Sequence, residues 1–408
     1  MTKNATMEEL NFLTETEVRR IAEEFGTPTY VYSRSELMGA VDEVLSAFKI
    51  VPYGLNVRFA MKANSHPEVL KLFDEQNIEI DASSEFEAQA AIDAGIDPQK
   101  ILLTAQQLPR DIKWIGDSGV HFTATSLHQL RRYGEAYPNS KVSIRLNTGL
   151  GSGANHRLTT GGIEVGFGIW FHSDSDNRDH QIHEIAKKFG LEIERVHIHI
   201  GTGSDPAIWE QLMIAGIKAL DHFPDATVLN LGGGFKVAYM NGDHQADLTA
   251  IGNVAAKHLN DFEAATGRKI KLEVEPGRYL TARAGSLIST IIDHSDTGER
   301  GDEFLKLDSG MTEFARTAMY GSQHPLVVVH RRPNRTQEEA KYVVIGHCCE
   351  SSDLFTSKRN DPETIEPRPL LNARIGDYMV LEMAGAYCAS MSMKGYNSFP
   401  LAKELMID

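Results

Sequence analysis

The sequence predicts a parallel (β/α)8 barrel of the TIM type joined to a second, all-β domain, and three observations carry that reading. Eight short apolar runs, at 57–61, 79–82, 100–104, 121–124, 142–146, 196–200, 228–231 and 271–275, read as buried strands. Helix-period segments lie between most of them: Glu85–Ala94, Pro109–Ser118, Ser126–Ala136, Asp179–Phe189, Pro206–Phe223 and Leu248–Thr266. Eight strands with crossover helices argue for the barrel, with a doubly wound open sheet as the structural alternative. Beyond about residue 280 the pattern changes to short β-type runs at 286–292, 304–307, 325–329, 341–346 and 377–381, separated by polar and proline-bearing loops.

In chain order, residues 28–33 read as a strand and Glu36 to Phe48 as an amphipathic helix. The first barrel strand delivers Lys62 into Ala63-Asn64, with Pro67 read as a helix breaker. Burying an ammonium is costly unless it is paired or consumed by chemistry. Lys62 is therefore a candidate nucleophilic, Schiff-base lysine; the competing reading is a lysine that snorkels out of a strand end. Asp81, Ser83 and Ser84 end the second strand, and Arg145 and Asn147 close the fifth. The stretch 147–178, rich in Gly, Thr and Asn, is long enough to be an active-site lid or binding segment. His197 and His199 alternate with apolar residues on the sixth strand, so both imidazoles are expected on one face. Gly232-Gly233-Gly234 follow the seventh strand, and Glu273 and Glu275 end the eighth, running into Pro276-Gly277-Arg278. The early strand at 28–33 precedes the barrel and is expected to join the later β domain. The domains are then 35–280 for the barrel and 1–34 with 281–408 for the β domain.

Composition bounds the function. The chain has 408 residues, enough for two or three domains, and 41% hydrophobic with 24% charged residues is ordinary for a globular protein. A net charge of −15 with no dense Lys/Arg cluster argues against nucleic acid and anionic membranes as partners. No apolar run approaches the roughly 20 residues of a membrane span, and the first nine residues lack a signal-peptide core. Cys348, Cys349 and Cys388 are too few and badly spaced for a disulfide framework or a zinc site. A cytoplasmic enzyme without a metal is expected.

Active sites of such barrels sit at the C-terminal ends of the strands, where these polar residues fall. Each has a physical task if the ligand is pyridoxal 5′-phosphate. A triple glycine at a strand-to-helix turn lets backbone N–H groups approach a phosphate, although it can also be only a tight turn. A carboxylate at the ring nitrogen preserves the cofactor's electron sink, which suits Glu275; the bland alternative is a glutamate paired with an arginine. A histidine on the inner strand face can stack on the ring, and His199 is chosen over His197.

Six segments then occur in order: Phe59-Ala-Met-Lys62-Ala-Asn64, His197-Ile-His199-Ile-Gly201-Thr202-Gly203, Gly232-Gly-Gly-Phe235, Glu275-Pro-Gly-Arg278, Cys349-Glu350-Ser-Ser-Asp353 and Gly385-Ala-Tyr387. They resemble the alanine-racemase-fold (fold type III) pyridoxal-phosphate decarboxylases over about residues 20 to 405. Within that family, Asp308 to Tyr320 followed by His324-Pro325, and Tyr396-Asn397-Ser398, look like the diaminopimelate decarboxylases. Thr317, Thr202 and Ser352 depart from that pattern, standing where a proline, a serine and a glycine are usual.

The resemblance implies a cofactor bound by Lys62, Asp81, Arg145, His199, Thr202, Gly233, Gly234, Glu275, Gly277, Arg278 and Tyr387. It implies substrate held by Arg278, Arg316, Tyr320, Glu350 and Tyr387, with Lys62 and Cys349 catalytic. Cys349, Glu350 and Tyr387 would reach the site of the other subunit, which implies a homodimer with shared active sites. The implied reaction is decarboxylation of meso-2,6-diaminopimelate to L-lysine and CO2. A decarboxylase of a related substrate, such as D-ornithine, D-lysine or a siderophore or antibiotic intermediate, is the second reading, and a non-catalytic cofactor-binding regulator the third.

Overall fold

The computed structural model describes residues 8–151, 161–171, 178–333, 335 and 338–408. The chain divides into two compact units, Gly39–Val237 with His244–Tyr279, and Met1–Met38 with Ala238–Asp243 and Leu280–Asp408.

The first unit is a closed parallel barrel of eight strands. In order they are Leu55–Ala60, Glu79–Ala82, Ile101–Leu103, His121–Ala124, Lys141–Asn147, Glu192–Ile198, Val228–Asn230 and Lys271–Val274. Each pairs in parallel with the next, and the eighth pairs with the first to close the ring. A short strand, Ile169–Trp170, adds to the fifth. The helices between them start on short polar caps. Ser84, Ser126, Asp205 and Asp247 each accept a backbone N–H of the first helical turn, satisfying a donor that the helix itself cannot.

Three details differ from the sequence reading. Pro67 opens the helix Pro67–Glu75 rather than breaking one, because a first-turn proline loses no hydrogen bond there. The helix expected over Pro109–Ser118 runs only from Lys113 to Ser118. The sixth and eighth strands end at Ile198 and Val274, so His199 and Glu275 lie just past the strand ends. Of the expected 147–178 segment, residues 152–160 and 172–177 lie outside the described residues.

The barrel interior is not uniformly apolar. Arg58 Nε donates to Glu273 Oε2 at 2.8 Å, and its other arm pairs with Glu79 at 2.6 Å. Arg195 Nε lies 2.9 Å from Glu273 Oε1 and donates from Nη1 to Ser143 at 2.7 Å. Burial raises the Glu273 carboxyl, but the two guanidiniums together outweigh it and hold the group below the usual carboxylate range. This buried cluster fixes strand register beneath the site, since breaking such a network by removing one partner costs about 3–5 kcal/mol.

In the second unit the sheet runs Leu326–Val329, Tyr378–Leu381, Gly285–Asp296, Glu303–Leu307, Glu339–Ile345, Arg368–Leu371. Thr29–Ser33 pairs antiparallel with Gly285–Asp296 and parallel with Lys403–Ile407, so both chain ends enter one sheet. The unit is not purely β. Thr14 and Glu17 form a capping box that starts the helix Glu15–Phe25. Val18, Ile21 and Ala22 of that helix pack on Val31, Ile288, Val329 and Val380. Burial of each large aliphatic side chain there contributes about 1.5–3 kcal/mol. Among the described residues no helix is long and apolar enough to cross a membrane, and no group of His, Cys, Asp and Glu is placed to hold a metal.

Candidate active site

The rim of the barrel collects many of the polar residues singled out in the sequence. Lys62 sits on the short 3-10 turn Met61–Ala63, directly after the first strand. Its Nζ lies 3.4 Å from Asp81 Oδ2 and 3.3 Å from Ser83 Oγ. The Lys62 side chain is 44% exposed while that of Asp81 is 1% exposed, so the amine is accessible and its counter-ion is fixed. The ammonium turns toward a buried carboxylate, which snorkelling alone does not require.

Strand register puts Arg145, His197 and Asn230 side by side on three neighbouring strands. Arg145 is buried and its guanidinium lies over the Phe167 ring, 3.8 Å from the centroid. Burial lowers its pKa to about 10, against the pull of Glu275 and Asp81, so it remains a cation at neutral pH. His197 is fully buried. Burial first, then Arg145, His199 and Lys62, push it well below the ordinary histidine value and keep it neutral. Its Nε2 lies 3.4 Å from Glu275 Oε2 without hydrogen-bond geometry. His199 is likewise held neutral by burial and by Arg145 and Lys62. The two imidazoles differ in setting: His197 is enclosed in the barrel, and His199 is half-buried against the glycine turn.

Glu275 is the most perturbed acid of the rim. Burial raises it to about 8, with Asp81 and Glu273 adding to the shift and Lys62 and Asn230 opposing it. Asn230 donates from its amide to Glu275 Oε1 at 2.6 Å and to Glu273 Oε1 at 2.8 Å, and accepts the Gly232 N–H at 2.7 Å.

The triple glycine is a backbone cradle. A Cβ on Gly233 would stand 2.0 Å from the Glu275 carbonyl oxygen, and one on Gly234, at φ +104°, 1.8 Å from the Gly201 carbonyl oxygen. Only glycine permits this approach. Gly203 N–H donates to the Gly234 carbonyl at 2.9 Å, which joins the turn to the half-buried Thr202 segment. Gly277 packs against Ala60 and Ala63, behind Lys62, and the half-buried Arg278 starts the helix Arg278–Thr281.

These residues fit pyridoxal phosphate on the structure's own terms. They offer an accessible amine, an enclosed cation, a buried acid and a close-packed glycine turn beside His199. Asp81 Oδ1 and both nitrogens of His197 are buried without a hydrogen-bond partner among the described residues.

Arg316, Tyr320, Cys349, Glu350 and Tyr387 belong to the other unit. Arg316 is buried at the start of the helix Arg316–Tyr320, which ends on the half-buried Tyr320. Its Nε donates to His324 Nε2 at 3.2 Å, and its guanidinium lies 5.5 Å from the centroid of the Tyr239 ring. His324 Nδ1 in turn contacts the Glu382 carbonyl at 3.1 Å, so the imidazole is neutral with its proton on Nδ1. Cys349 and Glu350 are exposed on one loop, where Cys349 N–H donates to Asn397 Oδ1 at 3.1 Å. Asp353 closes that loop by accepting the N–H of Cys348 at 2.8 Å and of Met311 at 2.6 Å. Tyr387 has a positive φ of 57°.

Sequence reasoning gave no role to Asn230, Phe167, Tyr239 or His324. His324 stood in a quoted motif, and Asn230 stood two residues before the glycines, a polar residue in an otherwise apolar strand.

Comparison with known proteins finds relatives over nearly the whole chain. Residues 16–282 match the family model described as "Pyridoxal-dependent decarboxylase, pyridoxal binding domain". The chain is 33% identical to the diaminopimelate decarboxylase of Escherichia coli K12, over 97% of this chain and 92% of that one. It is 32% identical to that of Streptomyces coelicolor, over 95% and 86%. A crystallised diaminopimelate decarboxylase superposes with a TM-score of 0.88 at 31% identity, over 97% of this chain and 92% of that one. The Helicobacter pylori enzyme, crystallised with L-lysine, superposes with a TM-score of 0.79 at 25% identity, over 95% and 93%.

Proposed function

The chain belongs to the pyridoxal-dependent decarboxylases, and on that premise we propose that it converts meso-2,6-diaminopimelate to L-lysine and CO2. It is an amino-acid decarboxylase that uses pyridoxal 5′-phosphate. The observation that carries the substrate is the nearly full-length match to diaminopimelate decarboxylases, which includes both units.

When bound, the cofactor supplies the electron sink that accepts the bonding pair left by departing CO2. The chain's own residues do the rest. Lys62 is the covalent attachment point, and Asp81 and Ser83 hold its amine in place. Glu275 would pair with the ring nitrogen, Arg145 would stand near the phenolic oxygen, and His199 would stack on the ring. Thr202, Gly233, Gly234, Gly277 and Arg278 would hold the phosphate, a group that backbone N–H donors and a guanidinium suit. Arg278, Arg316 and Tyr320 hold carboxylate, for which a guanidinium offers two parallel donors. Cys349 or Lys62 would supply the proton to Cα after CO2 leaves, and Glu350 would take the distal ammonium. Tyr387 contacts cofactor and substrate.

By the resemblance, Cys349, Glu350 and Tyr387 serve the barrel of a second copy, so the working form is a homodimer. The acidic, cysteine-poor composition suits the cytoplasm.

The test is to mix purified protein with pyridoxal phosphate and meso-diaminopimelate and follow CO2 and lysine, with Lys62→Ala as control. Turnover abolished by Lys62→Ala supports the assignment. Cofactor binding without lysine formation overturns the substrate and leaves the cofactor chemistry standing.

A further inference from the structure

Asn230 is wholly enclosed at the end of the seventh barrel strand. Its three contacts admit one orientation of the carboxamide. Carboxylates only accept and a backbone N–H only donates, so Nδ2 must face Glu273 and Glu275 while Oδ1 faces Gly232. The amide therefore spans three structures: the buried Arg58–Glu273–Arg195 cluster, the glycine turn, and Glu275. Among the described residues Glu275 accepts no other hydrogen bond on either carboxylate oxygen, and the neighbouring His197 ring at 3.4 Å lacks the geometry to donate.

We infer that Asn230 is a positioning residue that locks the Glu275 carboxylate in one orientation and ties that orientation to the phosphate-binding turn at Gly232. The inference rests on the reading of Glu275 as the partner of the cofactor's ring nitrogen. Around Glu275 stand Lys62, Asp81, Arg145, His197, Glu273 and Arg58. Two of these are acids that disfavour a charged Glu275, and burial does the same. The Asn230 donor acts the other way. Without it the carboxyl loses both its direction and part of the support for its charged form, the form that favours a protonated ring nitrogen.

Asn230→Ala and Asn230→Ser, each checked by circular dichroism, are titrated with pyridoxal phosphate by absorbance and then assayed over pH. In Asn230→Ala the cofactor Kd is expected to rise about tenfold or more, the scale of a lost hydrogen bond to a buried charged group. The acid limb of kcat moves to higher pH, while KM for the amino acid changes by less than about threefold. Asn230→Ser, whose hydroxyl can still donate to one carboxylate, recovers part of the loss. A folded variant with wild-type cofactor affinity and an unmoved acid limb overturns the inference. So does precipitation of both variants, which would make Asn230 a residue of the fold alone. The cofactor titration needs no amino acid, so a wrong substrate assignment fails in a different experiment.

Discussion

At Glu275 a single carboxyl links stability to chemistry. Its pKa of about 8 in the folded chain stands above the 4.5 of an ordinary glutamate, because burial disfavours the charged form. The folded protein therefore holds a proton that the unfolded chain releases, and this contribution to stability is complete below about 4.5 and lost as pH rises through 8. The apo-protein is expected to melt several degrees lower at alkaline than at mildly acidic pH by differential scanning fluorimetry. Glu275→Gln should flatten that slope, without abolishing it, since burial also raises Glu382, to about 7. An unchanged slope in the variant would place the titration elsewhere. Arg316 supports a second prediction. Lysine there cannot present a planar fork or reach His324 as Nε does, so Arg316→Lys is expected to raise KM for diaminopimelate about tenfold or more with cofactor affinity unaltered. Steady-state kinetics beside a cofactor titration would separate the two effects.

The elements were legible where periodicity governs them and obscure where a single contact does. All eight barrel strands show as apolar runs because each is covered on both faces, and burial writes itself into composition. Pro67 was misread because a proline before a helix and one inside it look alike until the first turn is placed. The strands Ser357–Lys358, Asp361–Ile365 and Arg368–Leu371 went unseen, being short with no apolar alternation. The role of Asn230 could not be read locally, since its carboxylate partners lie 43 and 45 residues away, on and just past the next strand. The glycine turn could be named from sequence, but not the reason for it, which is the approach of Gly234 to the Gly201 carbonyl. Gly234→Ala is therefore expected to cost about 2 kcal/mol or more, from a positive φ and a clash that only backbone movement relieves. Thermal melts would show the destabilisation, and the cofactor Kd should rise in the same variant.

The proposed division of labour between the two units has a consequence for the whole molecule. Lys62 stands on the barrel and Cys349 on an exposed loop of the other unit. If both served a site built within one chain, mixing Lys62→Ala with Cys349→Ala would give no intact site, because every chain carries a lesion in its own site. If Cys349 serves a second copy, a mixed dimer places both lesions in one site and leaves the other whole. Random exchange makes half the dimers mixed, and each mixed dimer has one intact site of two. Mixing equal amounts of the two inactive variants should therefore restore about a quarter of wild-type activity, the statistical value for a symmetric dimer. Refolding the variants together or co-expressing them under separable tags, then measuring CO2 release from the mixed species, reads this directly. No recovery from isolated mixed dimers would confine each site to one chain and end the shared-site proposal, while leaving the cofactor site on the barrel untouched.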